Sequence, residues 1–447
     1  MRGLIWSWLF IMCGCGSVKT PAASSPDAGP GVDGDPGEPA DPSGTLKVVT
    51  QARFFVPAGT ASGAGQSGVD VVSVQRDGTT IDGAAKSDAD GHASLPVHTG
   101  GSVTAIYHHA ADAGADLVTY FGVEPDDMIT FGQRFSSTQT TSLGAMTFSF
   151  PSLSAANYQV FGPCGNDTAG PNQLSITLTE LASCHVDPMD VVFVALNGAG
   201  QVIGYNYLNV AFHAGTTAPI TTWATPRTAM LSITGLPAEV RVVNAVLGNV
   251  GNVDQRMFQF LVTGQATGGA YSNSFPWATT AVHTEAQLIV ARDGNFQPIQ
   301  LLDILQPDTT TWTVASAQLP PWLQTAAVST ADRTGSIFMS GDGHYDAAVV
   351  HIEWQHLMAG ATIVSRWTFV LPPTMTSFAF PALPSELAAV LPPAADQYTT
   401  EAHLIEIPAV DGYKALRAIP EAAVMCPGTL VPDCSLRTAL FPRVVFE

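Results

Sequence analysis

A chain of 447 residues with 46% apolar and only 12% charged side chains has material for two to four domains with cores of their own. Thirty-seven acidic against 17 basic side chains leave a formal net charge of −20, which repels phosphate backbones and anionic lipid surfaces and argues against a nucleic-acid partner. The acids are scattered rather than blocked, which fits solubility outside the cytoplasm better than an acidic docking surface. With 41 Gly and 32 Pro, the composition is that of a turn-rich β protein.

Residues 1–15 read as an export leader. Arg2 gives a small positive start and Leu4 to Met12 an apolar core, too short to span a bilayer. The sequence Met12-Cys13-Gly14-Cys15 resembles the lipobox of bacterial lipoprotein precursors. That resemblance implies lipidation of Cys15, which follows the small Gly14; Cys13, after Ile11-Met12, is the poorer acceptor. Met12 and Cys13 depart from the usual residues of the motif. Residues 16–44 are almost wholly Pro, Gly, Ala, Ser and Asp, too poor in apolar surface to offset the entropy of ordering. They predict a disordered linker of roughly 30 Å mean end-to-end distance. A leash behind a lipidated Cys resembles surface or outer-membrane lipoproteins, and Gly16 is not the Asp that signals inner-membrane retention in that family. The implied location is the cell envelope, outer membrane or surface, and the implied partner is a membrane, reached through the lipid.

Residues 45–143 form the first expected folded unit. Ala93, Leu95 and Val97 alternate with His92, Ser94 and Pro96, and Val103, Ala105 and Tyr107 alternate in the next run, the period of half-buried strands. Asp77-Gly78, Asp90-Gly91 and Gly100-Gly101 mark turns between them. Gly68-Val69, the turn Ser87-Asp88-Ala89-Asp90-Gly91 and the closing run Val103–Tyr107 resemble carboxypeptidase-regulatory-like domains. The resemblance implies a transthyretin-like β-sandwich with an accessory, non-catalytic role. Asp88 and Asp90 have the oxygen density of a calcium turn, but the twelve-residue EF-hand loop is missing and any hairpin uses the same residues.

Residues 144–325 and 326–447 are expected to be two further β-sandwich regions, with turn signals every 8–12 residues and no long amphipathic helix. The run VVFVALNG from Val191 is apolar on both faces, as in a fully buried strand, with Asn197-Gly198 predicted as its hairpin turn. The pattern returns at LIVARDG from Leu288, where Gln297 and Ile299 keep the offsets of Gln201 and Ile203. Trp223, Trp312 and Trp367, each followed by Leu-Pro, share one place in this repeat and predict a common core role. In the third region a single helical turn is expected at Ser385–Val390, and Tyr413–Ile419 and Ala439–Phe446 supply the last strands.

Six cysteines are present. With an export leader, Cys164 with Cys184 and Cys426 with Cys434 read as two local disulfides. The first should contribute about 3 kcal/mol through loop closure. No Cys-x-x-Cys pair or nearby His cluster supports a metal site. The stretch His351-Ile352-Glu353-Trp354-Gln355-His356 lacks the HExxH spacing; on a strand, Val350, Ile352 and Trp354 face the core and His351, Glu353 and Gln355 face out. No G-x-S-x-G elbow, P-loop or dinucleotide fingerprint occurs, so no catalytic residue, cofactor or metal is assigned. Trp277 and Trp322, each beside proline, are the candidate ligand surface, where indoles could stack on sugar rings. The resulting expectation is an all-β chain of tandem antiparallel sandwiches on a disordered tether, acting as a non-catalytic binding or structural module for an envelope polymer or protein partner. A surface hydrolase and a carbohydrate-binding protein are the alternatives.

Overall fold

The computed structural model describes residues 43–54, 64–110, 113–135, 141–182, 185, 187–236, 240–250, 256–265, 269–277, 283–292, 295–305, 311–315, 318–358, 361–393, 398–408, 410–418 and 436–446. The expected leader, residues 16–42 of the expected linker, and Cys13, Cys15, Cys184, Cys426 and Cys434 lie outside them; Ser43 and Gly44, expected in the linker, instead open the first strand, Ser43–Phe54. As composition predicts, the fold is nearly all β.

One twelve-stranded sheet runs through the molecule. Its order is Arg256–Gln265, Val240–Val250, His283–Arg292, Asn295–Leu305, Leu436–Phe446, Tyr398–Glu406, Ala347–Met358, Ala361–Leu371, Ala115–Val123, Gly101–His108, Asp70–Val74 and Ile81–Lys86. Every pairing in it is antiparallel except that of Ala361–Leu371 with Ala115–Val123, which join in parallel from Arg366↔Asp116 to Val370↔Tyr120. This sheet takes strands from all three expected units, 45–143, 144–325 and 326–447, and so crosses the expected divisions at 143 and 325.

Strand alternation sends successive side chains to opposite faces, and here both faces are covered. On Ala347–Met358, Ala347 and Val349 enter one core, while Ala348, Val350, Ile352 and Trp354 enter the other. The first core is closed by Ser43–Phe54, His92–His98 and Met128–Phe135, which contribute Leu46, Val48, Leu95, Val97, Ile129 and Phe131. The second is closed by two three-stranded sheets, Arg227–Thr234 with Tyr271–Trp277 and Thr311–Ala315, and Trp322–Ser329 with Thr334–Ser340 and Ser377–Ala379. This double cover corrects the reading of Val103–Tyr107 as half-buried: Gly101–Tyr107 is buried throughout, with Ile106 in one core and Val103, Ala105 and Tyr107 in the other.

A smaller sandwich occupies residues 142–224. Gly165–Ala169, Asn157–Gly162, Met189–Leu196 and Val202–Val210 form one sheet; Ser175–Leu181, Ser142–Ser149 and Thr217–Pro219 form the other. The VVFVAL run is buried at every position, as its two-faced apolarity predicts. Val191, Phe193 and Ala195 fill the sandwich, and Val192, Val194 and Leu196 are covered on the outer side.

The turns hold with one correction. Gly78, Gly91 and Gly100 take positive φ, as expected, but at Asn197-Gly198 the left-handed residue is Gly200 (φ 76°). The loop is longer than a two-residue hairpin. Asn197 N–H donates to Gln201 O at 2.9 Å, and the Asn197 side chain accepts the Ala199 and Gln201 N–H groups. Asp293-Gly294 lies outside the described residues, between the paired Arg292 and Asn295. Ser385–Val390 is a 3-10 turn, matching the expected helical turn. Residues 412–417 depart from the expected strand and form a short helix, Gly412–Arg417, which buries Leu416 and Arg417.

Candidate functional site

Trp322, expected at the surface, is only 3% exposed and belongs to the larger core. Pro320 and Pro321 before it are buried too, so proline here shapes an entry into a strand, and the indole is no stacking platform. Trp277 closes the strand Tyr271–Trp277, with its backbone opposite Arg227; its side chain lies outside the described residues. Of the three repeat tryptophans, Trp312 and Trp367 share the larger core. Trp223 instead packs on the 142–224 sandwich, stacked on Tyr158 at 5.6 Å and donating its indole N–H to Pro151 O at 2.7 Å.

The polar side of Ala347–Met358 forms a ladder rather than a site. Val350, Ile352 and Trp354 are buried, as expected. His351 and Glu353 are half-buried and Gln355 exposed. His351 meets Thr368 at 2.8 Å, Arg366 donates to Glu353 at 2.9 Å, and His403 lies 2.9 Å from Glu401. Opposite charges on adjacent strands stabilise pairing by tenths of a kcal/mol, up to about 1. Asp88 likewise serves its turn: its Oδ1 accepts the Asp90 and His92 N–H groups. Those bonds, His92's foremost, hold its carboxyl below the ordinary value. Among the described residues no group of three His, Cys, Asp or Glu is placed to hold a metal ion.

Five acids are buried among the described residues, Asp70, Asp127, Glu180, Asp190 and Asp346; none was anticipated, and two of them are set in unusual surroundings. Glu180, 1% exposed, has Oε2 at 3.1 Å from Cys164 Sγ and 3.5 Å from His185 Nδ1, while its Oε1 is buried without a hydrogen-bond partner. Burial pushes its pKa above the ordinary carboxylate value, with His185 pulling the other way. Cys164 is not a free thiol, and its Sγ accepts the Leu181 N–H at 3.2 Å. The second acid, Asp127, pairs with Arg417 at 2.9 Å, both 3% exposed as side chains. Arg417 also donates to Gly122 O at 2.6 Å and lies over the Tyr413 ring. The partners come from opposite ends of the chain, so no local signal exposes the pair.

A further concave surface lies among the described residues. Trp322–Ser329, Thr334–Ser340 and Ser377–Ala379 carry an open groove of about 580 Å³ on their outer side, bordered by Ala327, Ser329, Thr334, Ser336, Ser377 and Ala379. The register sets Ala327 beside Ser336 and Ser336 beside Ser377. Small side chains across three strands leave a flat, hydroxyl-bearing floor. Two residues along the same face stands Phe338, 62% exposed. Gly335 lies beneath: a Cβ there would meet the Phe378 ring at 2.2 Å, so the Phe seated under the floor requires glycine. Hydroxyls beside an exposed ring can offer hydrogen bonds and an apolar contact to one ligand. Sequence reading missed this surface because its residues look like any solvent-facing strand positions.

No family model matches the chain, and no curated protein matches it significantly. Solved structures overlap weakly. The TIE protein of Bacillus anthracis covers 61% of this chain and 50% of its own length, at 8% identity and TM-score 0.14. BcpA, the major pilin subunit of Bacillus cereus, covers 61% and 98%, at 10% identity and TM-score 0.16. The shaft pilin spaA of Lactobacillus rhamnosus GG covers 63% and 100%, at 8% identity and TM-score 0.14. The chain thus spans about half the length of the TIE protein it overlaps.

Proposed function

We propose that this chain is a non-catalytic binding or structural module of the cell envelope, exported and held to a membrane by a lipid on Cys15. The observation that carries the binding role is the groove across Ala327, Ser336 and Ser377 with Phe338 at its side. A broad, open floor suits an extended envelope polymer or a protein segment better than a small molecule, for which sites are usually deeper and more enclosed. Cys164–Cys184 and Cys426–Cys434 are the disulfides of this reading, supported at Cys164 by the absence of a free thiol.

The test is a glycan and envelope-polymer binding screen of the purified chain, run beside a generic hydrolase panel. Saturable binding that is lost in Phe338→Ala and in Ala327→Arg is expected. Turnover abolished by changing one carboxylate would overturn the non-catalytic reading. Trp322→Ala is unsuitable as a probe, because it opens the core. For the anchor, a fatty-acid analogue should label the wild type and not Cys15→Ser; label retained in that variant moves the site to Cys13, and no label in either means plain secretion.

A further inference from the structure

The turn Pro163-Cys164 joins Asn157–Gly162 to Gly165–Ala169 in the smaller sandwich. Cys164, half-buried there, meets the end of Ser175–Leu181, whose pairing with Ser142–Ser149 shifts register between Glu180 and Leu181. Three polar groups converge on its Sγ: Glu180 Oε2 at 3.1 Å, the Leu181 N–H at 3.2 Å and Leu181 O at 3.4 Å. As half of a disulfide, this sulfur carries no proton. The proton in its short contact with Glu180 therefore belongs to the carboxyl, since an ionised carboxylate would set lone pairs against lone pairs.

The other buried acids hold strong partners. Asp70 has Lys86 and His108, Asp127 has Arg417, Asp190 has the Tyr207 hydroxyl and the Asn209 amide, and Asp346 accepts the Ile407 N–H. Glu180 has, among the described residues, the sulfur and His185 on one oxygen, the latter at 3.5 Å, while its Oε1 is buried without a partner. A carboxyl so placed is costly as an ion and poorly satisfied as an acid. A buried polar group kept in that state calls for a chemical reason. The side chain of His185 is 23% exposed, which gives the buried proton a way to solvent.

We propose that the Cys164 disulfide is a thiol-exchange site, with Glu180 as the acid that protonates Cys164 when an external dithiol opens the bond. The pairing with Cys184 is that of the function proposed above. A thiolate of the dithiol attacks the sulfur bonded to Cys164; the S–S bond breaks, its electron pair goes to Cys164 Sγ, and that sulfur takes the Glu180 proton. The second thiol of the dithiol, giving up its own proton, then displaces the protein from the mixed disulfide, and the released sulfur takes a proton from solvent. The dithiol leaves oxidised to a disulfide and the protein keeps two thiols. Proton transfer and the Leu181 N–H relieve the charge on the departing Cys164 sulfur, and a better leaving sulfur speeds exchange. Burial favours the protonated form of Glu180, and His185 returns a proton to it from solvent.

Reduction of the folded full chain by dithiothreitol tests this, with the rate divided by the dithiothreitol thiolate present and followed from mild acid to mild alkali. A rate linear in dithiothreitol and unmoved by sub-denaturing urea is expected, highest in acid and falling as Glu180 ionises. Glu180→Gln keeps a hydrogen-bonding amide but has no proton to give, and should react at least about tenfold more slowly in acid, with no such fall. Reduction only under unfolding conditions overturns the proposal, as does a wild-type profile flat in pH or a Glu180→Gln profile matching that of the wild type. If Glu180→Gln does not fold, the wild-type profile decides. Non-reducing peptide mapping tests the pairing separately: Cys164 joined to Cys426 or Cys434 overturns the disulfide assigned above, with the proton transfer still decided by the kinetics.

Discussion

Glu180 and Asp77 are acids shifted in opposite directions, and each writes its own pH dependence into stability. Glu180 is raised from 4.5 by burial. Its stabilising contribution is complete below that ordinary value and is lost as pH rises through the folded one. Glu180→Gln is accordingly expected to raise the urea midpoint at neutral pH and to leave it nearly unchanged in acid; a variant whose midpoint followed the wild type at both would sink this account. Asp77 sits in an exposed turn, where the side-chain hydroxyl and backbone N–H of Thr80, together with the Thr79 N–H, lower it to about 2. Its contribution is present above 3.8 and fades as pH falls toward the folded value, so Asp77→Ala should destabilise at neutral pH and lose its effect in strong acid.

Elements differ in how far their sequence alone specifies them. Met189–Leu196 was legible because apolarity on both strand faces has one common solution, burial in a sandwich with both sides covered. The helix Gly412–Arg417 was not, because six residues carry little intrinsic preference and its partners Asp127 and Gly122 lie far away in the chain. Trp322 was misread for a related reason: proline beside tryptophan marks a break before the strand, and says nothing about whether the strand's first side chain is exposed. The groove was illegible because Ser377–Ala379 reaches Thr334–Ser340 only through tertiary pairing. The contrast between two aromatic residues on adjacent strands checks the corrected assignment. Trp322→Ala, from a site 3% exposed, should cost about 3–5 kcal/mol by the usual range for core aromatics. Phe338→Ala, from one 62% exposed, should stay within about 0.5 kcal/mol in denaturant titration. Equal losses would place both in the core.

For the whole molecule, the parallel pairing of Ala361–Leu371 with Ala115–Val123 and the Asp127–Arg417 pair join segments that are distant in the chain. The single hydroxyl proton of Tyr413 adds to the joint, shared between Phe121 O and Val370 O at 2.8 and 2.9 Å. Residues 43–135 and 347–418 are thus expected to unfold as one cooperative unit. Asp127→Ala leaves Arg417 buried beside no counter-charge, at a cost of about 3 kcal/mol or more, and hydrogen exchange should quicken together in both segments. Acceleration confined to one of them would show that the joint does not couple them. The strand at the chain's entrance has a mechanical meaning. Residues 43–49 are bound lengthwise to His92–His98 and residues 47–54 to Met128–Phe135, so tension on the segment before Ser43 pulls along the axes of these ladders. Their hydrogen bonds then share the load in shear instead of opening one after another.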